Sequence, residues 1–282
     1  MSCIKQKIWR IKISKLKGTT MSKGKKHDLD KFYTKPEIAK YFIKKAKINK
    51  YDVVIEPSAG NGSFSNQIDK CIALDLEPES DKIIKQDFFT YAYNKDKEKV
   101  LVIGNPPFGK QNNLAIAFIN HASQFADTIA FILPLSFKKE SVQNRLNKNL
   151  HLVYEEDVPK NSFTLDDIDY DVKCVFQIWD VKKEERLIDS KLASKSNNLF
   201  SYVSKSDNPD AAIQRVGGNA GKATLDWENK SESSNYFIKF NKKVNLNKTI
   251  KAINSIVFDS KNYTVGPRSI SKKELNLEIN KL

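Results

Sequence analysis

Cysteine and histidine are scarce, three of each in 282 residues, and this excludes whole classes of chemistry. Cys3, Cys71 and Cys174 lie far apart with no paired spacing, and His27, His121 and His151 are equally scattered. Neither a disulfide framework nor a zinc site is legible, so no metal is expected, and a reducing compartment, cytoplasmic or nuclear rather than secretory, fits. Long apolar runs are also missing: stretches such as Thr128 to Leu135 are far shorter than the ~20 residues that cross a bilayer, so no membrane association by spanning is expected. Acidic residues are absent from the first 26 positions altogether.

What the chain does contain is apolar and charged in proportions that bury a core: 40% hydrophobic, 29% charged and 10% aromatic. Disordered and fibrous classes are excluded by that composition. The net charge of +14 is unevenly spread, at +9 over residues 1–26, −3 over 27–180 and +8 over 181–282. A mildly acidic middle between two basic ends suits a catalytic centre flanked by segments that hold a polyanion, because neutralising phosphate needs Lys and Arg. A purely solubilising role for the lysines is the competing reading.

Residues 1–26 are read as a disordered basic arm. Thr34, Pro36 and Glu37 form a Thr-x-x-Glu capping pattern, predicting a helix with Ile38, Tyr41, Phe42 and Ala46 on its core face and an end at Asn49-Lys50. Continuous aliphatic runs at Asp52 to Glu56, Cys71 to Asp75, Val100 to Ile103 and Thr128 to Leu133 predict strands buried on both faces of a parallel sheet. Leu114, Phe118, Ile119, Ala122 and Phe125 repeat with helical period, and Leu150 to Val158 with Val172 to Trp179 predict an antiparallel hairpin at one sheet edge, separated by an Asp-rich loop. The expected architecture is an α/β, Rossmann-like doubly wound catalytic domain over residues 27–180, followed by a small basic region of mixed or β character over 181–282 whose first twenty residues read as a linker.

Four motifs carry chemistry. In Val53-Val-Ile-Glu-Pro-Ser-Ala-Gly-Asn-Gly-Ser-Phe64 a buried strand ends in Glu56 and enters a turn, where Gly60 and Gly62 allow a ligand to approach the backbone before a helix begins. An acid at that point repels a pyrophosphate and suits a cationic group, such as the amino end of an amino acid. Asp75 ends a second strand about twenty residues on, where a carboxylate accepts ribose hydroxyls. Asp87 in Lys85-Gln-Asp-Phe-Phe89 is placed to accept from an exocyclic adenine amine, with Phe88 beside it to pack on a base. Asn105-Pro-Pro-Phe108 follows a buried strand: the prolines remove two amide donors and leave a rigid surface rich in acceptors. There the Asn105 amide oxygen and the Pro106 carbonyl can accept both hydrogens of a planar NH2 group and expose its lone pair, while Phe108 stacks on the ring that bears it.

Taken with Phe32-Tyr-Thr-Lys-Pro36, these motifs resemble, in order, those of the S-adenosylmethionine-dependent amino-methyltransferases, specifically the gamma-class adenine-N6 DNA methyltransferases. The resemblance covers about residues 30 to 180. It implies that Tyr33 and Thr34 lie at the methionine end of S-adenosylmethionine, that Glu56 meets its amino group, that Ser58, Gly60 and Gly62 line the turn beneath it, that Asp75 holds the ribose, and that Asp87 and Phe88 hold the adenine. Asn105, Pro106 and Phe108 would be catalytic, seating an adenine flipped out of a duplex, with Pro107 beside them and Phe137 as a candidate far wall whose alternative is a core role. The Glu-Pro-Ser-Ala-Gly form of the turn looks more like the DNA enzymes than the RNA enzymes, so nucleic acid, DNA before RNA, is the expected partner. Because only about a hundred residues remain for target recognition, a protein partner supplying specificity is a further expectation. A protein glutamine-N5 methyltransferase, whose acceptor is also a planar NH2, and a non-catalytic nucleic-acid-binding subunit are the competing functions.

Overall fold

A computed structural model describes residues 32–165, 168–187, 196–264 and 267–282, and every structural statement below concerns those residues. The basic arm and residues 188–195 of the expected linker lie outside them. The described residues form one compact unit.

The chain enters through a two-residue strand, β1 (Tyr33–Thr34), and then helix α1 (Pro36–Ala46). Thr34 does not cap that helix. The N-cap is Lys35, without a side-chain cap bond, because Thr34 is engaged in β1. The buried stripe of α1 is Ala39, Phe42, Ile43 and Ala46, and Tyr41 turns outward to donate to Glu156 at 2.7 Å. Lys47, in the left-handed conformation, stops the helix before a 3-10 turn at Ile48–Lys50, which places the predicted end one turn late.

The central sheet follows: β2 (Val53–Glu56), β3 (Ile72–Asp75), β4 (Ile84–Lys85), β5 (Val100–Gly104), then helix α2 (Asn113–Ala122) and β6 (Thr128–Pro134). A short helix α3 (Glu140–Gln143) leads to β7 (Leu150–Asp157), a small hairpin β8 (Phe163–Leu165) and β9 (Ile168–Tyr170), and β10 (Cys174–Val181). The spatial order is β4-β3-β2-β5-β6-β10-β7, parallel from β4 to β6, with β10 antiparallel to both neighbours. This is the expected doubly wound sheet with an antiparallel edge. The Asp-rich segment between β7 and β10, predicted as loop, instead forms β8 and β9 and pairs with β1 in a separate three-stranded sheet.

Strand alternation explains the two-sided burial. Ile55, Val100, Val102, Ile129 and Phe131 face one core with α2, while Val54, Leu101, Ile103, Ala130 and Ile132 face the other with α1. The C-terminal part comprises β11 (Phe200–Val203), β12 (Ala211–Gln214), β13 (Ala223–Thr224), β14 (Asn235–Phe240), α4 (Leu246–Ser255) and α5 (Lys272–Ile279). Its antiparallel sheet, ordered β11-β14-β12-β13, closes over a core of its own around Ile213, Ile238, Ile253 and Leu275. The predicted strand at Tyr236 to Phe240 is β14.

Candidate active site

In an open α/β sheet the strand order reverses at one point, and the crevice beyond the carboxyl ends there is where ligands bind. Here the reversal falls between β2 and β5, whose last residues are Glu56 and Gly104. The two ends touch: a Cβ on Gly104, whose φ is +150°, would sit 3.3 Å from Glu56 Cγ. Only glycine lets the two backbones converge so closely with a glutamate between them.

Asn105 follows directly. Its Nδ2 donates to the Phe32 carbonyl at 3.1 Å, and since a carbonyl only accepts, the amide orientation is determined: Oδ1 points the other way. That oxygen is buried and has no hydrogen-bond partner. Leaving a buried acceptor unsatisfied costs about 1–3 kcal/mol, so native proteins keep such atoms rarely and commonly where a ligand will use them. Thr34 is 3% exposed and its hydroxyl is in the same state. The Ser58 hydroxyl makes a long bond, 3.4 Å, to the Asn105 carbonyl, whereas no described residue donates to the Pro106 carbonyl. The Phe-Tyr-Thr and Asn-Pro-Pro-Phe motifs, more than seventy positions apart, are thus joined by an amide–carbonyl bond at the switch point.

Glu56 is 2% exposed, and its Oε2 accepts from the Ser65 N–H at 2.8 Å. Burial pushes its carboxyl up to about 8; the Ser65 and Phe64 amides pull the other way, and the Asp75 charge adds to the rise. Asp75 braces the glycine turn, accepting from the Gly60 N–H with one oxygen and from the Glu77 N–H with the other, each at 2.8 Å. A carboxylate oxygen has lone pairs to spare after one such bond, so Asp75 keeps acceptor capacity for a diol. Gly60 and Gly62 have φ of +52° and +84°, and the Tyr33 ring lies over Gly60, 3.0 Å from where a Cβ would stand. The Tyr33 hydroxyl bonds Glu79. No regular helix follows the turn, contrary to expectation. A 3-10 turn at Ser65–Gln67 replaces it, because side chains compete for the backbone there: Gln67 Nε2 donates to both the Ser63 and Pro36 carbonyls.

Asp87 caps the 3-10 turn Phe88–Thr90, accepting from the Phe89 N–H at 3.0 Å. Phe88, expected to pack on a base, points into the core. It is 2% exposed, stacked on Phe118 with centroids 5.2 Å apart and edge-on to His121, so it holds the Asp87 turn onto the core. Leu76, next to Asp75 and 56% exposed, offers apolar surface at that strand end, and sequence reasoning overlooked it. Phe137 is fully buried in the α2-side core, which resolves its two readings in favour of packing. Phe108 is half-buried, as a residue offering one ring face would be, and Pro107 likewise.

A further feature escaped the sequence. Gly109, Gln111 and Asn112 all have positive φ, +66°, +55° and +63°, so the loop after Phe108 is held in a conformation non-glycine residues seldom adopt. Arg145 clamps it, donating to the Gln111 carbonyl at 3.0 Å and to the Asn113 side chain, and Asn112 Nδ2 donates to the Ser136 hydroxyl at 2.7 Å. The only sequence signal was Gly109 itself with the Asn112-Asn113 pair.

The fold is a doubly wound α/β sheet whose switch point holds a buried amide oxygen, Asn105 Oδ1, without a hydrogen-bond partner. Comparison with known proteins gives that description a class. No family model matches the chain. Two curated relatives, the Type II methyltransferases M.HincII and M.HindII of Haemophilus influenzae, are each 30% identical over 102 residues, a segment covering 34% of this chain and 20% of each relative. Both relatives are named as methyltransferases, and this chain matches about a fifth of their length. Among solved structures, an inferred RNA methyltransferase of Pyrococcus horikoshii superposes with a TM-score of 0.43 at 16% identity, covering 60% of this chain and 96% of that one. That score is too low to bear on the assignment, and the fold rests on the strand order itself.

Proposed function

We propose that the protein transfers a methyl group from S-adenosylmethionine to the N6 amine of adenine in nucleic acid, DNA before RNA. The observation that carries this reading is the buried, partnerless Oδ1 of Asn105, fixed in direction by the Phe32 carbonyl at the switch point of the sheet. An acceptor stored there at a cost is made for a donor, and an exocyclic amine is the donor that also needs the adjacent Pro106 carbonyl and a half-buried ring at Phe108.

The cleft fits the cofactor. Glu56 at the end of β2 suits its amino group, Asp75 at the end of β3 its ribose, Asp87 its adenine amine, with the turn through Ser58, Gly60 and Gly62, and Tyr33 and Thr34 around the methionine end; exposed Leu76 offers a flat apolar contact. When bound, S-adenosylmethionine supplies a methyl group already activated by a sulfonium. The chain's own residues have then to orient and to exclude water: Asn105 and Pro106 accept the two amine hydrogens, directing the nitrogen lone pair outward, and Phe108 keeps the ring in plane. A duplex adenine reaches such a site only when flipped out of the stack. The Type II methyltransferase relatives and the Glu-Pro-Ser-Ala-Gly turn favour DNA.

The test is incubation of the protein with labelled cofactor and, separately, duplex DNA, single-stranded DNA, structured RNA and protein, followed by mass identification of the methylated unit. N6-methyladenosine or its deoxy form is expected. Label on glutamine, or none on any substrate despite cofactor binding, would overturn the reading.

A further inference from the structure

Away from the cleft, the C-terminal sheet and α5 enclose an open pocket of about 260 Å³ to which no role is assigned above. Three cations line it from three different elements or their flanks: Lys205 after β11, Arg215 after β12 and Lys272 at the start of α5. They are arranged on aromatic rings. Lys272 Nζ stands 4.4 Å from the centroid of Tyr202 and 5.7 Å from that of Tyr236, and the Arg215 guanidinium is 5.7 Å from Tyr236. The rings are pinned, the Tyr202 hydroxyl to Asn276 at 2.8 Å and the Tyr236 hydroxyl to the Ile270 carbonyl at 3.1 Å, and Lys205 Nζ is held by the Lys230 carbonyl at 2.8 Å. Among the described residues no carboxylate forms an ion pair with any of the three cations, although the exposed Glu232 lines the same pocket.

Cations seated on π faces keep their N–H groups for another partner, and three of them converging without a paired anion make a site for a negatively charged oxygen cluster. The pocket is also joined to the catalytic sheet. Immediately after Lys272, Lys273 pairs with Glu140 at 3.6 Å and Glu274 with Lys139 at 3.3 Å, and Lys139 also donates to the Ser269 carbonyl at 3.1 Å. Lys139 and Glu140 follow the end of β6, the strand beside β5, which leads into Asn105. One helix start therefore carries both a pocket cation and the ties to the acceptor side of the cleft.

We propose that this pocket is a backbone-phosphate subsite, which grips the substrate strand at a fixed offset from the base presented to Asn105. It rests on the reading that the substrate is nucleic acid, and it assigns to Lys205, Arg215 and Lys272 a positioning role in that recognition.

The experiment is a salt titration of oligonucleotide binding by fluorescence anisotropy, with the full chain and the double variant Arg215→Gln/Lys272→Gln. Each lost phosphate contact lowers the slope of log K against log salt by about 0.7–0.9, so the double variant should fall by about 1.4–1.8 while cofactor affinity is unchanged. The charge-conserving Arg215→Lys/Lys272→Arg pair should restore most of the slope, and Lys272→Gln alone, at an exposed position that leaves folding intact, should lose about half of the change. An unchanged slope in both glutamine variants of a protein that binds and methylates nucleic acid overturns the subsite alone. Absence of nucleic-acid binding by the unmodified chain overturns the underlying reading as well. Inorganic phosphate at matched ionic strength should displace the oligonucleotide from the unmodified chain but not from the double variant; phosphate binding that needs Arg215 and Lys272 yet leaves oligonucleotide affinity unchanged would mark a free-anion site and overturn the proposal.

Discussion

Asn105 combines two opposed hydrogen-bonding demands in one side chain. Its nitrogen is satisfied inside the protein and its oxygen is not, so truncation removes a buried orphan and creates another at the Phe32 carbonyl. The two effects nearly offset, and Asn105→Ala should alter stability by no more than about 1 kcal/mol in chemical denaturation. Loss of one preorganised polar contact should nevertheless lower turnover by about 10²–10³-fold with cofactor affinity retained; unchanged turnover would remove the assigned role. Glu56 gives a pH prediction. Its folded carboxyl titrates near 8 against an ordinary 4.5, so between those values the native state holds a proton that the unfolded chain has lost. This contribution to stability is complete below about pH 4.5 and lost as pH rises to about 8, and Glu56→Gln should flatten that decline in melting temperature. If a cofactor ammonium meets the carboxylate, binding should also release a proton at pH 7, detectable by calorimetry in buffers of different ionisation enthalpy, and the glutamine variant should release none. Gly60→Ala would force a Cβ into the left-handed region and to within 3.0 Å of the Tyr33 ring, and should cost about 1–2 kcal/mol along with cofactor affinity.

Elements differ in how well their order in the chain announces their partners. β2, β3, β5 and β6 were legible because strands buried on both faces must be apolar throughout, a local property that any register preserves. The capping role predicted for Thr34 failed because β1 and β8, some 130 positions apart, pair and claim the residue, and a local capping pattern cannot see that partner. The same pairing turned an Asp-rich stretch into a hairpin: Lys35 forms an ion pair with Asp169 at 2.7 Å, and Phe32 packs on Tyr170 with centroids 5.3 Å apart. The loop Gly109–Asn112 is held in its unusual backbone by Arg145. Arg145→Ala should release it, lowering kcat far more than it raises the cofactor Kd and leaving the melting temperature within a few degrees. An equal effect on cofactor binding would show that the loop serves the cofactor rather than the acceptor.

For the molecule as a whole, charge is unevenly spread along the chain. The segment bearing the cleft is near neutral, while residues 1–26 and 181–282 carry +9 and +8. Removal of residues 1–26 should therefore weaken nucleic-acid binding and reduce its salt slope without changing the rate at saturating substrate, whereas an unaltered slope would leave those lysines a solubilising role. The +8 of the C-terminal part was visible as a number, but the gathering of three cations around Tyr202, Tyr236 and Phe237 was not, since Lys205, Arg215 and Lys272 are spread over 67 positions.

By itself the sequence determined the central strands β2, β3, β5 and β6, the glycine turn, the order of the acidic strand ends and the acceptor-rich Asn-Pro-Pro-Phe segment, because each depends on residues that are neighbours along the chain. Tertiary structure alone decided that Phe32 would orient the Asn105 amide, that Phe88 and Phe137 would be packed into the core, and that Glu56 would be buried deeply enough for its carboxyl to be pushed up to about 8. Those outcomes depend on which surfaces are excluded from water once distant segments meet, and burial is a property of the packed molecule, not of any stretch of its sequence.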